Sequence, residues 1–155
     1  MTINHIQTFF EVDKENYLGF YELSIFEYYS EEVFIENILK SNILSEENRN
    51  GEFGPFKIEL LTANDFQKIN FVELNRILEE YYEDENWGVD LEVFKLNVNK
   101  AFNSVNIENA EIYFINIETA RIEVKPEYNF WSYFIGLICI NRNEKKIIKL
   151  YFGED

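Results

Sequence analysis

An α+β fold in a single domain, residues 1–155, is predicted by three observations: an antiparallel sheet, made of an N-terminal hairpin and a C-terminal meander, packed with two or three helices. The stretch from about 71 to 84 carries its apolar residues at helical spacing, with Leu74, Ile77, Leu78, Tyr81 and Tyr82 on one stripe. From Ala110 onward the texture turns β-rich, with Ile, Val, Phe and Tyr in short runs. No Pro-, Gly- or Ser-rich linker interrupts 155 residues that are 46% hydrophobic and 17% aromatic, enough to bury one core without disulfide or metal support.

The elements follow in order. Ile3 to Val12 is rich in Ile and Phe and precedes the turn formers Asp13-Lys14-Glu15-Asn16; Tyr17 to Tyr28 then completes an antiparallel hairpin. Ser30 offers an N-cap followed by Glu31 and Glu32, and Phe34, Ile35, Ile38 and Leu39 recur at helical spacing, which predicts a short helix over 31–41. Residues 45 to 54, with Asn50-Gly51 inside and Pro55 behind, read as a loop, and 56–61 alternates as a strand. Asn70 with Glu73 three residues on resembles a capping box and opens the helix over 71–84. Residues 90–104 fit both periods: Leu91, Phe94, Val98 and Phe102 suit a helix opened by Asp90, whereas Phe94, Leu96 and Val98 alternate as in a strand. The helix is preferred. Strands are expected over 111–117, 121–125, 131–141 and 145–152, with Asn141-Arg142-Asn143-Glu144 as a hairpin turn.

The charge is unevenly placed. The 29 acids and 14 bases give a net charge of −15. Residues 1–92 hold 21 acids and 6 bases, while residues 93–155 hold 8 of each, so the whole excess lies in the first three-fifths. A binder that works by neutralising phosphates needs a basic patch, so direct nucleic-acid binding is excluded as an expectation. The apolar content separates the chain from disordered acidic tails. No basic n-region precedes an apolar stretch at the N-terminus, and the longest nearly uncharged apolar stretch, Phe130 to Ile140, is too short to span a bilayer. Cytoplasmic residence without membrane contact is therefore expected, and Cys139, alone in an apolar run, reads as a small buried hydrophobe.

The chain is poor in the parts that enzymes use. His5 is the only imidazole and Cys139 the only thiol, so a Cys-His dyad needs these two to meet, and an internal zinc site lacks ligands. No P-loop, G-x-S-x-G, H-E-x-x-H or C-x-x-C occurs. The run from Asp84 to Asp90 faintly resembles a calcium loop, but Val89 takes the glycine position and Lys95 that of the bidentate glutamate. No catalytic residue, metal or cofactor is expected.

The feature that stands out is the segment Glu79-Glu80-Tyr81-Tyr82-Glu83-Asp84-Glu85-Asn86-Trp87-Gly88-Val89-Asp90-Leu91-Glu92, with 7 acids in 14 residues and no base. Its acids crowd the C-terminal end of a helix, where the macrodipole favours cations, at a cost of about 0.3–1 kcal/mol for each exposed charge. Such a placement suits a surface that steers a basic partner, with Tyr81, Tyr82 and Trp87 as anchors. The expected partner-binding residues are Glu79, Glu80, Tyr81, Tyr82, Glu83, Asp84, Glu85, Trp87, Asp90 and Glu92. The competing reading has the two tyrosines closing the apolar stripe, Trp87 covering the core edge, and the acids serving solubility.

In this segment, and in the β-rich end from Trp131-Ser132-Tyr133-Phe134 to Gly153-Glu154-Asp155, the chain resembles the immunity proteins of bacterial polymorphic and contact-dependent toxin systems. These are small, acidic, aromatic-rich α+β domains without catalytic apparatus, and the likeness is one of type across the chain. It implies neutralisation by occlusion of a cognate basic toxin domain, typically a nuclease. Two other functions fit the composition: a nucleic-acid mimic of the anti-restriction or anti-CRISPR kind, and a carboxylate-dependent hydrolase.

Overall fold

The computed structural model of the chain describes residues 3–12, 19–29, 32–45, 51–84, 90–128, 131 and 133–154. In chain order the elements are β1 (Ile3–Val12), β2 (Phe20–Tyr28), α1 (Ile35–Lys40), β3 (Glu52–Phe53), β4 (Phe56–Lys57), β5 (Gln67–Ile69), α2 (Phe71–Tyr82), α3 (Asp90–Ser104), β6 (Glu111–Asn116), β7 (Tyr133–Asn141) and β8 (Lys146–Glu154). Six strands form one antiparallel sheet in the order β1-β2-β8-β7-β6-β5, and β3 and β4 form a separate two-stranded ribbon.

The run Tyr133-Phe134-Ile135-Gly136-Leu137-Ile138-Cys139-Ile140 carries no charge, and the sheet is built around it. All nine residues of β7 are buried, as are seven of the nine in β8 beside it. An antiparallel strand with one wet face would alternate; these two do not, because the sheet is covered on both sides. On one face Leu23, Phe114, Leu137, Leu150 and Phe152 pack under α2 and α3. On the other, Phe26, Phe134, Ile138, Ile147 and Tyr151 pack under α1, the β3–β4 ribbon and a string of single turns. The result is three layers with the sheet in the middle.

The sheet, the N-terminal hairpin and the helices stand where the sequence places them, with four corrections. The helix expected over 31–41 begins only at Ile35: Phe34 is its N-cap position, and Asn37 Oδ1 accepts the Phe34 N–H at 3.1 Å. Ser30 and Glu31 lie outside the described residues. The strand expected over 56–61 is two residues long, because β3 pairs only Glu52 with Lys57 and Phe53 with Phe56. Beyond that ladder the chain bonds to itself, Leu61 N–H to Ile58 O at 3.0 Å, in a single 3-10 turn. The strand expected over 121–125 is also a 3-10 turn, at Ile122–Val124. There the Arg121 backbone N–H is taken by Asp65, which leaves no ladder to join. In the expected loop 45–54, Glu52–Phe53 is already strand and Gly54 turns with φ 56°; a Cβ at that position would collide with the Phe134 ring.

The ambiguous segment is the helix α3. Phe94, Val98 and Ala101 are buried at helical spacing, while Leu96, which a strand would have turned inward with Phe94 and Val98, is exposed. Strand β5 escaped the sequence reading, since three residues, Gln-Lys-Ile, carry no usable period.

Candidate binding face

Helix α2 is held at its start by the reciprocal cap that its sequence predicts. Glu73 N–H donates to Asn70 Oδ1 at 2.8 Å, and Asn70 N–H donates to Glu73 Oε2 at 3.3 Å. Leu74 and Leu78 are buried and Ile77 is half-buried, so the apolar stripe faces the sheet and α3. The opposite stripe carries Glu73, Arg76, Glu79, Glu80, Glu83 and Asp84, all exposed. The last turn has no base, and Glu83 caps it, its N–H bonded to Glu79 O at 3.1 Å. Four carboxylates, Glu79, Glu80, Glu83 and Asp84, therefore crowd the negative end of the helix. Arg76 pairs with Glu80 at 2.7 Å one turn away, a surface contact that contributes only a few tenths of a kcal/mol.

The tyrosines belong partly to the core. Tyr81 Oη accepts from Asn116 Nδ2 at 2.9 Å, and its ring lies 6.3 Å from that of Phe94. Burial pushes its phenol up to about 12, against the pull of the Asn116 hydrogen bond. Tyr82 meets Phe94 edge to face at 5.6 Å, and Lys95 Nζ stands 5.2 Å from its ring centroid. Burial, with Glu79 nearby, raises the Tyr82 phenol as well. Both rings thus clamp α2 to α3 while keeping an accessible edge. Of the ten expected residues, Glu79, Glu80, Tyr81, Tyr82, Glu83 and Asp84 share the end of α2, Asp90 opens α3, and Glu92 is exposed in its first turn. Glu85 and Trp87, and with them most of the calcium-like loop, lie outside the described residues.

His5 and Cys139 do not meet. His5 is exposed on β1, with Nε2 2.7 Å from Thr8 Oγ1. Cys139 is fully buried on β7, its thiol pushed up to about 12 by burial. Two strands separate β1 from β7, which puts the pair roughly 14 Å apart at the usual strand spacing. No group of three or more His, Cys, Asp or Glu among the described residues gathers as metal ligands do, and no described helix is long and apolar enough to cross a membrane.

Three polar clusters on the molecule have no signature in the sequence. Asp65 is buried and accepts from Thr62 N–H at 2.8 Å, Arg121 N–H at 3.1 Å, Arg121 Nε at 2.8 Å and Arg121 Nη2 at 3.0 Å. Glu111 takes Arg142 Nη2 at 2.8 Å and Lys68 Nζ at 3.4 Å, while the same Arg142 nitrogen reaches Val33 O at 2.9 Å. Lys149, with its side chain 3% exposed, stands 3.5 Å from Glu22, whose other oxygen accepts from Tyr151 Oη at 2.6 Å. Apart from Thr62–Asp65, three residues apart, and Glu111–Arg142, 31 apart, their partners lie 43 to 129 residues apart, so only the fold reveals them. The layer opposite α2 also has two open grooves of about 410 Å³ each. One is lined by Lys40, Ser45, Glu52, Lys57 and Glu59, the other by Pro55, Lys57, Leu60, Pro126, Tyr128 and Trp131.

No protein-family model matches the chain, and no curated protein matches it. Among solved structures, a crystal structure of citrus MAF1 is similar to it at 15% identity and a TM-score of 0.45, over 87% of both chains. A second crystal form of citrus MAF1 is similar at 14% identity and a TM-score of 0.38, over 92% of this chain and 93% of the other.

Proposed function

We propose that the chain is an acidic binding protein of the immunity type, which neutralises a basic toxin domain, with a nuclease as the first candidate, by tight occluding association. The observation that carries this reading is the exposed carboxylate group at the C-terminal end of α2, Glu79, Glu80, Glu83 and Asp84, set against the helix dipole on a rigid support. Carboxylates that cost helix stability and stay in water are suited to attracting a cationic surface. They raise the encounter rate and exclude acidic competitors. Residence time comes from the edge of Tyr82, half-buried against Phe94 beside them, and from the indole that the sequence supplies at Trp87.

The reading is tested with the protein encoded beside this chain's gene. Co-expression should protect cells from that protein, and the purified pair should bind in low salt. Trp87→Ala should weaken binding by about 2 kcal/mol with little change in melting temperature. Absence of both protection and low-salt binding would remove the proposal. Loss of thermal stability with unchanged affinity in Trp87→Ala would reassign that residue to the core. Competition with duplex DNA for a DNA-acting enzyme would instead favour a nucleic-acid mimic.

A further inference from the structure

We infer that the outer edge of β1 is a homotypic docking edge, at which a second copy of the chain adds its own β1 antiparallel and continues the sheet across a two-fold axis. The two ends of the sheet are treated differently. At one end β5 is three residues long and carries Lys68, a short and charged edge of the kind that resists strand addition. At the other, β1 is ten residues long, pairs only with β2, and has no further described strand on its outer side. Its residues Asn4 to Thr8 are exposed, Ile6 by 44%. The segment Ile3-Asn4-His5-Ile6-Gln7-Thr8-Phe9-Phe10 contains no lysine, no proline and no carboxylate. One irregularity, between His5 and Gln7, interrupts the ladder and leaves Gln7–Val12 as six residues in continuous register.

Charge selects the occupant. Each copy carries −15, so two copies meeting at the α2 face would set carboxylate against carboxylate, and both grooves also hold glutamates. At Ile3–Phe10 they meet none. A basic partner gains nothing electrostatic from this uncharged edge and is better satisfied at α2. A strand that fits it is extended and free of lysine and carboxylate over eight residues, and Ile3–Phe10 of β1, which stops one residue short of Glu11, is such a strand. Antiparallel self-pairing buries the same residues on both copies and closes after two. The inference is independent of the reading of the acidic face, and the two have opposite salt dependence: association of two −15 bodies strengthens as salt screens their repulsion, whereas capture of a basic partner weakens.

Sedimentation equilibrium of the whole chain from roughly 1 to 300 μM, the range over which small interfaces saturate, is the test. The mass should double with concentration, the dimer should tighten as sodium chloride is raised, and amide exchange of residues 6–10 should slow in the dimer. Ile6→Asp and Gln7→Lys, both at exposed positions, should each weaken the dimer at least tenfold while circular dichroism and melting temperature stay near those of the parent. Because the two variants shift net charge in opposite directions, joint weakening identifies the edge rather than the total charge. A monomer throughout, in both low and high salt, overturns the inference. So does a dimer that both variants leave intact, or one that leaves the exchange of 6–10 unchanged.

Discussion

Asp65 shows how much one residue can hold here. Its carboxylate is fully buried, and burial alone would raise its pKa; the Arg121 guanidinium and the Thr62 and Arg121 backbone N–H groups overcome that and keep it below 3.8. It ties the turn at Ala63–Asp65 to the segment at Arg121, with Arg121 Nη2 also bonded to Leu60 O at 3.0 Å. Asp65→Ala leaves two backbone donors and a 39% exposed guanidinium without their acceptor, and should cost about 3 kcal/mol by denaturant titration. A depressed folded-state pKa contributes stability that is present above the unfolded value and lost as pH falls through the folded one. The parent should therefore lose stability as pH falls below about 3.8, and Asp65→Asn should lose less over the same interval. Tyr81→Phe separates packing from binding: it removes the bond to Asn116 and should cost about 1 kcal/mol of stability while leaving partner affinity within twofold.

At the scale of elements, the end of α2 should display a conflict between stability and function. Converting Glu83 and Asp84 to lysine places cations at the negative helix terminus and should stabilise the protein by about 0.3–1 kcal/mol per residue, measured by thermal unfolding. The same change should slow capture of a basic partner. A variant that gains stability and keeps its association rate would show that these carboxylates serve the fold or solubility alone. Most elements were legible because their signals are local. Asn70 with Glu73 announces α2 and an uncharged run announces β7, while residues 90–104, which form α3, carry both periods, with the helix only preferred. What misled was alternation in short stretches. Residues 56–61 and 121–125 have strand-like sequences but no ladder to join among the described residues, because β3 begins at Glu52, opposite Lys57, and Asp65 occupies the Arg121 N–H. The candidate face was legible as a composition, seven acids in fourteen residues. The place of Tyr81 and Tyr82 on the apolar stripe was legible too, but their partners were not, since Phe94 and Asn116 arrive from α3 and β6.

The whole molecule holds a −15 charge on a three-layer core that is wet on neither face of its central strands. Self-repulsion of that charge opposes the compact state, so thermal stability should rise as salt is increased from low ionic strength toward about 0.15 M, where the screening length shrinks to about 8 Å. Partner capture should respond in the opposite sense. Capture of a basic protein by the exposed carboxylates at the end of α2 is a proposal that the association rate against ionic strength decides. That rate should be measured for the parent and for the combined Glu79→Gln, Glu80→Gln, Glu83→Gln, Asp84→Asn variant, against the protein encoded beside this chain's gene. The parent rate should fall steeply with salt, and the variant should start at least tenfold slower and respond weakly. Equal rates and equal salt slopes in the two proteins would contradict the account.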